Sequence, residues 1–232
     1  MTDAESRRPD PPGGPAAAAG AGDPLVLRYP FTGRWLARNS PARRVPSHGS
    51  DLLGTTYAID FVPVDDRGRP ARRTWRTLLA TEPVEAFVGF GAPVLSPVDG
   101  TVALVHDGET DHEARRSLLT LVPYLLTQGR RARAGAPGLA GNHVAVAMSA
   151  RGPYVLLAHL RRGSLRVRPG DAVRVGHHLG DCGNSGNSTQ PHVHVQVTDS
   201  TDWPRARGLP IAFRGRSSAV PRLPRESEIV EV

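Results

Sequence analysis

The sequence contains no lysine, so its 29 basic residues are all arginine, and it has a single cysteine, Cys182. One cysteine can form neither an intrachain disulfide nor a zinc site built from several thiolates. Aromatic residues make up only 5% of the chain. No run of about 18 apolar residues is present, so the sequence predicts no helix that spans a membrane.

Glycine and proline, in contrast, are plentiful, with 25 and 22 residues, and 39% of the chain is hydrophobic. This balance favours a globular domain of many short strands joined by tight turns. The net charge of +7 suits polyanions such as acidic wall polymers or anionic lipid surfaces. Nucleic acid is not an expected partner, because arginine enrichment also follows from a biased genome composition and no basic run is interleaved with aromatic residues.

The ends of the chain differ in composition from its middle. Residues 1–24 are rich in proline, glycine and alanine and predict a disordered tail, and the polar residues 214–232 predict a second, loosely attached one. The domain is expected between them, over 25–213. The N-terminus lacks a basic segment followed by an apolar one, so the protein as written is expected in the cytoplasm, or secreted or wall-associated if translation starts upstream.

Short β-branched and apolar runs, separated by turn signals, predict an antiparallel sandwich or barrel. The runs are TYAIDFV (56–62), PVLSPVDGTVALV (93–105), HVAVAM (143–148), YVLLAH (154–159), Ala172–Val175 and HVHVQV (192–197). Residues 107–140 break this pattern and are interpreted as an insertion. The apolar spacing within 111–128 predicts a short helix there, interrupted by Pro123.

Two histidines on one predicted strand, His192 and His194, indicate the site. Side chains two positions apart on a strand share a face, so both imidazoles can serve one metal centre, although two solvated histidines would give the same pattern. His159 closes an apolar strand, where a structural role is the simpler interpretation. Asp60 is an acid inside an apolar strand, where burial without a partner would be costly, and with His48 it could complete a zinc site.

Three segments in order resemble the core of the LytM/lysostaphin-type zinc metallopeptidases, a peptidoglycan endopeptidase family. They are GAPVLSPVDGTV (91–102), YVLLAHL (154–160) and VRPGDAVRVGHHLGDCGNSGNSTQPHVHVQV (167–197). The resemblance implies an all-β fold with an antiparallel sheet core, one Zn²⁺ per chain, and hydrolysis of peptide bonds in peptidoglycan cross-links or similar glycine-containing peptides. It also implies that His48, Asp60 and His194 bind the metal and that His159 and His192 are catalytic.

Departures from the family pattern leave alternatives open. Asp60 lies twelve positions after His48, whereas the family separates the two ligands by three residues, and Asp51 is nearer. Asp60 is preferred because YAIDF matches the strand that bears the acid. A catalytically inactive relative that serves as a binding or regulatory module is the alternative function. A lipoyl or biotinyl carrier domain is excluded, since it needs a lysine. The sequence predicts no particular oligomeric state.

Overall fold

A computed structural model describes residues 23–127, 135–215 and 220–232 of the chain. Its strands are β1 (Leu25–Arg28), β2 (Arg34–Arg38), β3 (Ile59–Pro63), β4 (Pro93–Leu95), β5 (Gly100–His106), β6 (Asn142–Ala147), β7 (Tyr154–Leu160), β8 (Ala172–Val173), β9 (His178–Asp181), β10 (Val193–Thr198), β11 (Ile211–Arg214) and β12 (Ile229–Glu231). Its helices are α1 (Arg76–Leu79), α2 (Leu118–Leu126) and α3 (Gly135–Ala140), with 3-10 helices at Leu52–Tyr57 and Val84–Ala86.

The strands build one large sheet and two small ones. The large sheet has eight antiparallel strands in the order β12-β2-β3-β10-β7-β6-β5-β8. β4 pairs antiparallel with β9, and β1 pairs parallel with β11. The prediction of an all-β fold with an antiparallel core is therefore confirmed.

Along β10 the side chains alternate between the main core and the opposite face of the sheet, which we call the polar face after the residues that β10 places there. Val193, Val195 and Val197 of β10 belong to the main core, together with Phe61 of β3 and Phe213 of β11. The residues between them on β10 are polar and also buried: His194, Gln196 and Thr198. Because successive side chains on a strand point to opposite faces, the polar residues share the face opposite the core. That face carries the candidate site.

The C-terminal residues are part of the sheet, which differs from the tail predicted for 214–232. β12 pairs with β2, and Val230 lies opposite Trp35 with only 5% of its surface exposed. The alternating segment EIVEV places one valine on the core face, too short an apolar signal to stand out in a polar stretch. Since β12 covers β2, β2 is an interior strand of the sheet. Residues 1–22, most of the predicted N-terminal tail, lie outside the described residues.

Val230→Ala is expected to lower the free energy of unfolding by about 2 kcal/mol, because two buried methyl groups are lost and a small cavity remains. Urea denaturation measures this. Ile229→Ala is the control, since the neighbouring Ile229 is 38% exposed and should change stability much less. Equal effects of the two substitutions would show that β12 is not anchored in the core as described.

The predicted helix within 111–128 is present as α2. Ser117 caps it by accepting a hydrogen bond from the Leu119 N–H, and the Ser117 hydroxyl donates to the Leu78 carbonyl of α1 at 2.6 Å. Pro123 lies within the helix. Residues 128–134 of the predicted insertion lie outside the described residues. No helix in the described parts of the chain is long and apolar enough to cross a bilayer.

Candidate metal centre

Adjacent strands bring Asp60 and His194 together on the polar face of the sheet. They are direct register partners in the β3–β10 pair, and both are buried. His194 Nδ1 lies 2.9 Å from Asp60 Oδ1. The third member is His48, whose Nε2 lies 3.2 Å from Asp60 Oδ2. One ligating atom from each of these three residues lies within 4.8 Å of the others.

A tight loop carries His48 to the strands. It includes the 3-10 helix Leu52–Tyr57, in which Gly54 has φ +77°, a left-handed conformation that glycine adopts without strain. A Cβ on Gly54 would also lie 2.5 Å from Thr198 Cγ2. Asp51 is exposed, accepts a hydrogen bond from the Thr56 hydroxyl and is not in the cluster. The loop thus accounts for the long spacing between His48 and Asp60.

Two acceptors flank the His194 ring. Gln196 donates its Nε2–H to the Leu53 carbonyl, which fixes its Oε1 toward His194 Nε2 at 2.9 Å. His194 Nδ1 meets a second acceptor, the Asp60 carboxylate. A neutral imidazole has one N–H and can satisfy only one of these acceptors. With its N–H donated to Gln196, a neutral His194 turns its Nδ1 lone pair toward Asp60, an arrangement that a metal cation between the two would suit.

His48 is arranged in a similar way on the other side of the carboxylate. The Ser47 hydroxyl donates to the Thr55 carbonyl, so it accepts from His48 Nδ1, and a neutral His48 directs its Nε2 lone pair at Asp60. Two imidazole nitrogens thus lie within hydrogen-bond distance of one buried carboxylate. Two imidazole nitrogens and one carboxylate oxygen are ligands that Zn²⁺ favours, and a catalytic zinc site keeps a fourth position for water. The residues present therefore fit a divalent metal.

Asp60 remains ionised despite its burial. Burial is the largest influence on its pKa and favours the neutral acid, but attraction to His48 and His192 in their charged forms and the hydrogen bonds with His194 and His48 hold the pKa well below its usual value. For His48, burial lowers the pKa, whereas the Asp60 charge and hydrogen bond outweigh it and raise the pKa. The site is thus built around a negative charge that attracts cations.

An irregularity in β7 places His159 beside the cluster. Val144 of β6 lies opposite Leu157 and Asn142 lies opposite Leu160, so β7 has one more residue than β6 between these pairs. His159 lies in this bulge with φ +63°, a conformation that a non-glycine residue adopts at a cost of about 1 kcal/mol or more. The His159 ring centroid is 4.6 Å from that of His192. Strain of this kind is typical of functional positions.

His159 and His192 are both anchored at Nδ1. His159 Nδ1 donates to the Ser185 carbonyl at 2.9 Å, and His192 Nδ1 donates to the Gln190 carbonyl at 2.8 Å. These bonds fix the tautomer and leave each Nε2 as the proton acceptor. His192 Nε2 lies 3.7 Å from Asp60 Oδ1.

Both of these imidazoles are neutral bases at neutral pH. Burial is the main cause of a lowered pKa in each case. The pKa of His159 falls well below its usual value because His192 and His194 add repulsion, whereas the Asp60 charge partly offsets the shift of His192. The arrangement can therefore accept a proton at two points beside the Asp60 carboxylate.

The structure brings all five predicted residues together and adds three that sequence reasoning missed. The side-chain amide of Asn39 donates to Asp60 Oδ2 at 2.6 Å. The backbone of Asn39 is left-handed, with φ +50°. Gln196 and Ser47 orient His194 and His48. Gln196 could have been found, because it lies two positions after His194 on the same strand face. Asn39 and Ser47 lie in loops, where the sequence pattern carries no such signal.

Comparison with known proteins matches part of this chain to a family. Residues 126–205, about a third of the chain, match the model described as Peptidase family M23. We call residues 126–205 the M23 segment. It contains His159, His192 and His194, whereas His48 and Asp60 precede the M23 segment. The resemblance predicted from the sequence is confirmed.

Two of the solved structures that are similar to this chain are catalytic domains. The catalytic domain of the prophage-encoded M23 protein EnpA from Enterococcus faecalis is 17% identical, with a TM-score of 0.39 over 82% of this chain and 90% of that one. The catalytic domain of the antimicrobial peptidase lysostaphin from Staphylococcus simulans is also 17% identical, with a TM-score of 0.37 over 68% of this chain and 80% of that one. Curated protein sequences give no match.

Proposed function

We propose that the protein is a zinc-dependent endopeptidase that hydrolyses peptide bonds, with the M23 segment supplying three of its five site residues. The observation that carries the proposal is the convergence of two imidazole nitrogens on the buried Asp60 carboxylate, beside two further histidines anchored at Nδ1. One histidine is enough to pair with a buried carboxylate, so a structural role does not explain four histidines around Asp60. A metal centre with neighbouring bases explains all four.

The metal ligands are His48 through Nε2, His194 through Nδ1, and Asp60. When bound, Zn²⁺ lowers the pKa of its water ligand toward neutrality and polarises a carbonyl group. Gln196 keeps the remaining N–H of His194 occupied, so that Nδ1 presents its lone pair to the metal. Asn39 holds one oxygen of Asp60, which limits rotation of the carboxylate.

His192 and His159 are proposed to move the protons of the reaction. Each presents a neutral Nε2 that can accept a proton from the attacking water. The resulting imidazolium can then donate that proton to the leaving amine, which must be protonated to depart. Because the carbonyls of Gln190 and Ser185 hold the Nδ1 protons, both rings keep their orientation while Nε2 changes its protonation state.

The proposed substrates are peptides of peptidoglycan cross-links or similar glycine-containing peptides. The family match supports hydrolysis of peptide bonds, and the net charge of +7 favours acidic wall polymers. The proposed domain begins at residue 25 and includes β12 beyond the predicted boundary at 213, and the described part of the insertion 107–140 forms one wall of the substrate groove. The Tyr124 hydroxyl of α2 supports this, because it donates to the Gly186 carbonyl beside Ser185, which anchors His159.

Cleavage of defined peptides tests the proposal. Purified protein reconstituted with Zn²⁺ is incubated with pentaglycine and with cross-linked muropeptides, and products are identified by mass spectrometry. We expect cleavage of an internal peptide bond that stops on chelation and returns with Zn²⁺. Zinc binding without cleavage of any of these peptides would favour the inactive binding module instead.

Gln196→Leu is expected to weaken zinc affinity by about 10- to 100-fold, the usual effect of losing a partner that orients a metal-binding histidine. Competition with a chelating dye measures the affinity. Gln196→Glu keeps an acceptor for His194 Nε2 and should retain most of it. If Gln196→Leu binds zinc as tightly as the wild type, Gln196 does not orient His194 toward the metal.

A further inference from the structure

Two helices outside the sheet expose an unusual number of large apolar side chains. α1 and α2 contact each other, and no residue of either described helix is buried. The exposed fractions of the side chains range from 47% to 82% over the group that we call the apolar patch: Trp75, Leu78, Leu79, Leu118, Leu119, Val122, Leu125 and Leu126. Contiguous exposed apolar surface of this kind marks an interaction site.

Polar contacts hold the helices that carry the apolar patch. Arg116 forms an ion pair with Glu82 at 2.6 Å, and Glu82 is only 2% exposed. Ser117 donates to the Leu78 carbonyl, and Tyr124 donates to the Gly186 carbonyl of the loop before β10. Because these contacts fix α1 and α2 without covering their leucines, the apolar surface is presented to a partner.

Within the two segments that carry the apolar patch, every charged residue is an arginine, whereas the flanking acids Glu82 and Glu113 lie at their ends and Glu82 pairs with Arg116. Residues 67–81 contain five arginines and no acid, and residues 114–127 contain two arginines and no acid. Arg72, Arg73 and Arg76 are exposed, and the Arg76 guanidinium lies 5.3 Å from the centre of the Trp75 ring. An apolar surface rimmed by arginine and tryptophan suits a partner that is apolar beneath a negatively charged layer.

We propose that the apolar patch docks on the surface of an anionic lipid bilayer. The nine residues of α2 extend about 13 Å, too short to cross the hydrocarbon core but suited to lying in the interface with its leucines inserted. A second copy of the chain fits less well. In a symmetric dimer the same patch meets itself, so the arginines around it would face the arginines of the other copy. Docking is independent of the proposed peptidase activity.

Intrinsic fluorescence gives a direct test, because the three tryptophans differ in exposure. Trp75 is 64% exposed, whereas Trp35 and Trp203 are 2% and 8% exposed. We expect vesicles of phosphatidylglycerol to shift the tryptophan emission of the protein to shorter wavelength. The protein should also sediment together with these vesicles. Vesicles of phosphatidylcholine should bind at least about tenfold more weakly, and Trp75→Phe should abolish the spectral shift.

Serine variants separate the apolar patch from the net charge. Leu118→Ser with Leu126→Ser should reduce binding to phosphatidylglycerol vesicles at least about tenfold. Val26→Ser with Val175→Ser, at exposed positions elsewhere, leaves the charge identical and should bind as the wild type does. Equal binding by both double variants, or no binding by the wild type, would overturn the proposal. The proposal would also be overturned if analytical ultracentrifugation showed a wild-type dimer that does not bind vesicles, and if Leu118→Ser with Leu126→Ser were a monomer.

Discussion

His192→Ala is expected to lower the kcat of peptide hydrolysis by about 10²- to 10⁴-fold, the range that a positioned general base contributes. Zinc binding should persist, because His192 Nε2 lies 3.7 Å from Asp60 and the three ligating atoms come from other residues. A loss of activity with retained metal is what separates a proton-transfer role from a ligand role. Steady-state kinetics on the cleaved peptide, with zinc analysis of the same sample, measures both.

His177→Ala is the matched control, since His177 is an exposed histidine outside the cluster and should retain full activity. The double variant His159→Ala with His192→Ala should be little slower than His192→Ala alone, because residues that act as a unit are not additive. Loss of zinc from His192→Ala would reassign His192 as a ligand. Undiminished kcat would remove it from the mechanism.

Asp60→Asn is expected to weaken zinc affinity by more than about 100-fold, beyond the effect of losing an orienting partner. The substitution keeps the shape of the side chain but removes the negative charge on which His48, His192 and His194 converge. The amide introduced by Asp60→Asn would also present an N–H group where Asp60 presents a second carboxylate oxygen, so one of the two neighbouring imidazoles would lose its partner. Competition with a chelating dye measures the affinity, and circular dichroism establishes that the variant folds.

Asp51→Asn is the matched comparison for Asp60→Asn, because Asp51 is the acid nearer to His48 in the sequence. Its carboxylate accepts from the Thr56 hydroxyl and lies outside the cluster, so zinc affinity should stay within about threefold of the wild type. The reverse pattern, with Asp51→Asn losing zinc and Asp60→Asn keeping it, would assign the acidic ligand to Asp51.

Much of the fold could be predicted because strand periodicity survives in the sequence. The segments around Asp60 and His194 alternate or carry continuous apolar runs, and both form central strands of the sheet. Their pairing as register partners could not be read from either segment alone, since it depends on long-range contacts. β12 was missed because a three-residue strand with one inward valine resembles a polar tail.

The geometry of the site depends on backbone features that leave weak traces in the sequence. The segment YVLLAHL contains no glycine or other turn residue that would predict the bulge at His159. The loop that delivers His48 across a long spacing relies on left-handed Leu53 and Gly54, of which only the glycine is a visible signal. Asn39 contacts Asp60 from a position that no local pattern connects with it.

The central claim is that this cluster holds one zinc ion, and the zinc content of the purified protein tests it most directly. After exposure to Zn²⁺ and dialysis, elemental analysis of the wild type should give about one zinc per chain, as expected for a single site with three protein ligands. His194→Ala should retain almost none, and His177→Ala should match the wild type. A wild type that holds no zinc after this treatment, or a His194→Ala variant that keeps it, would contradict the account.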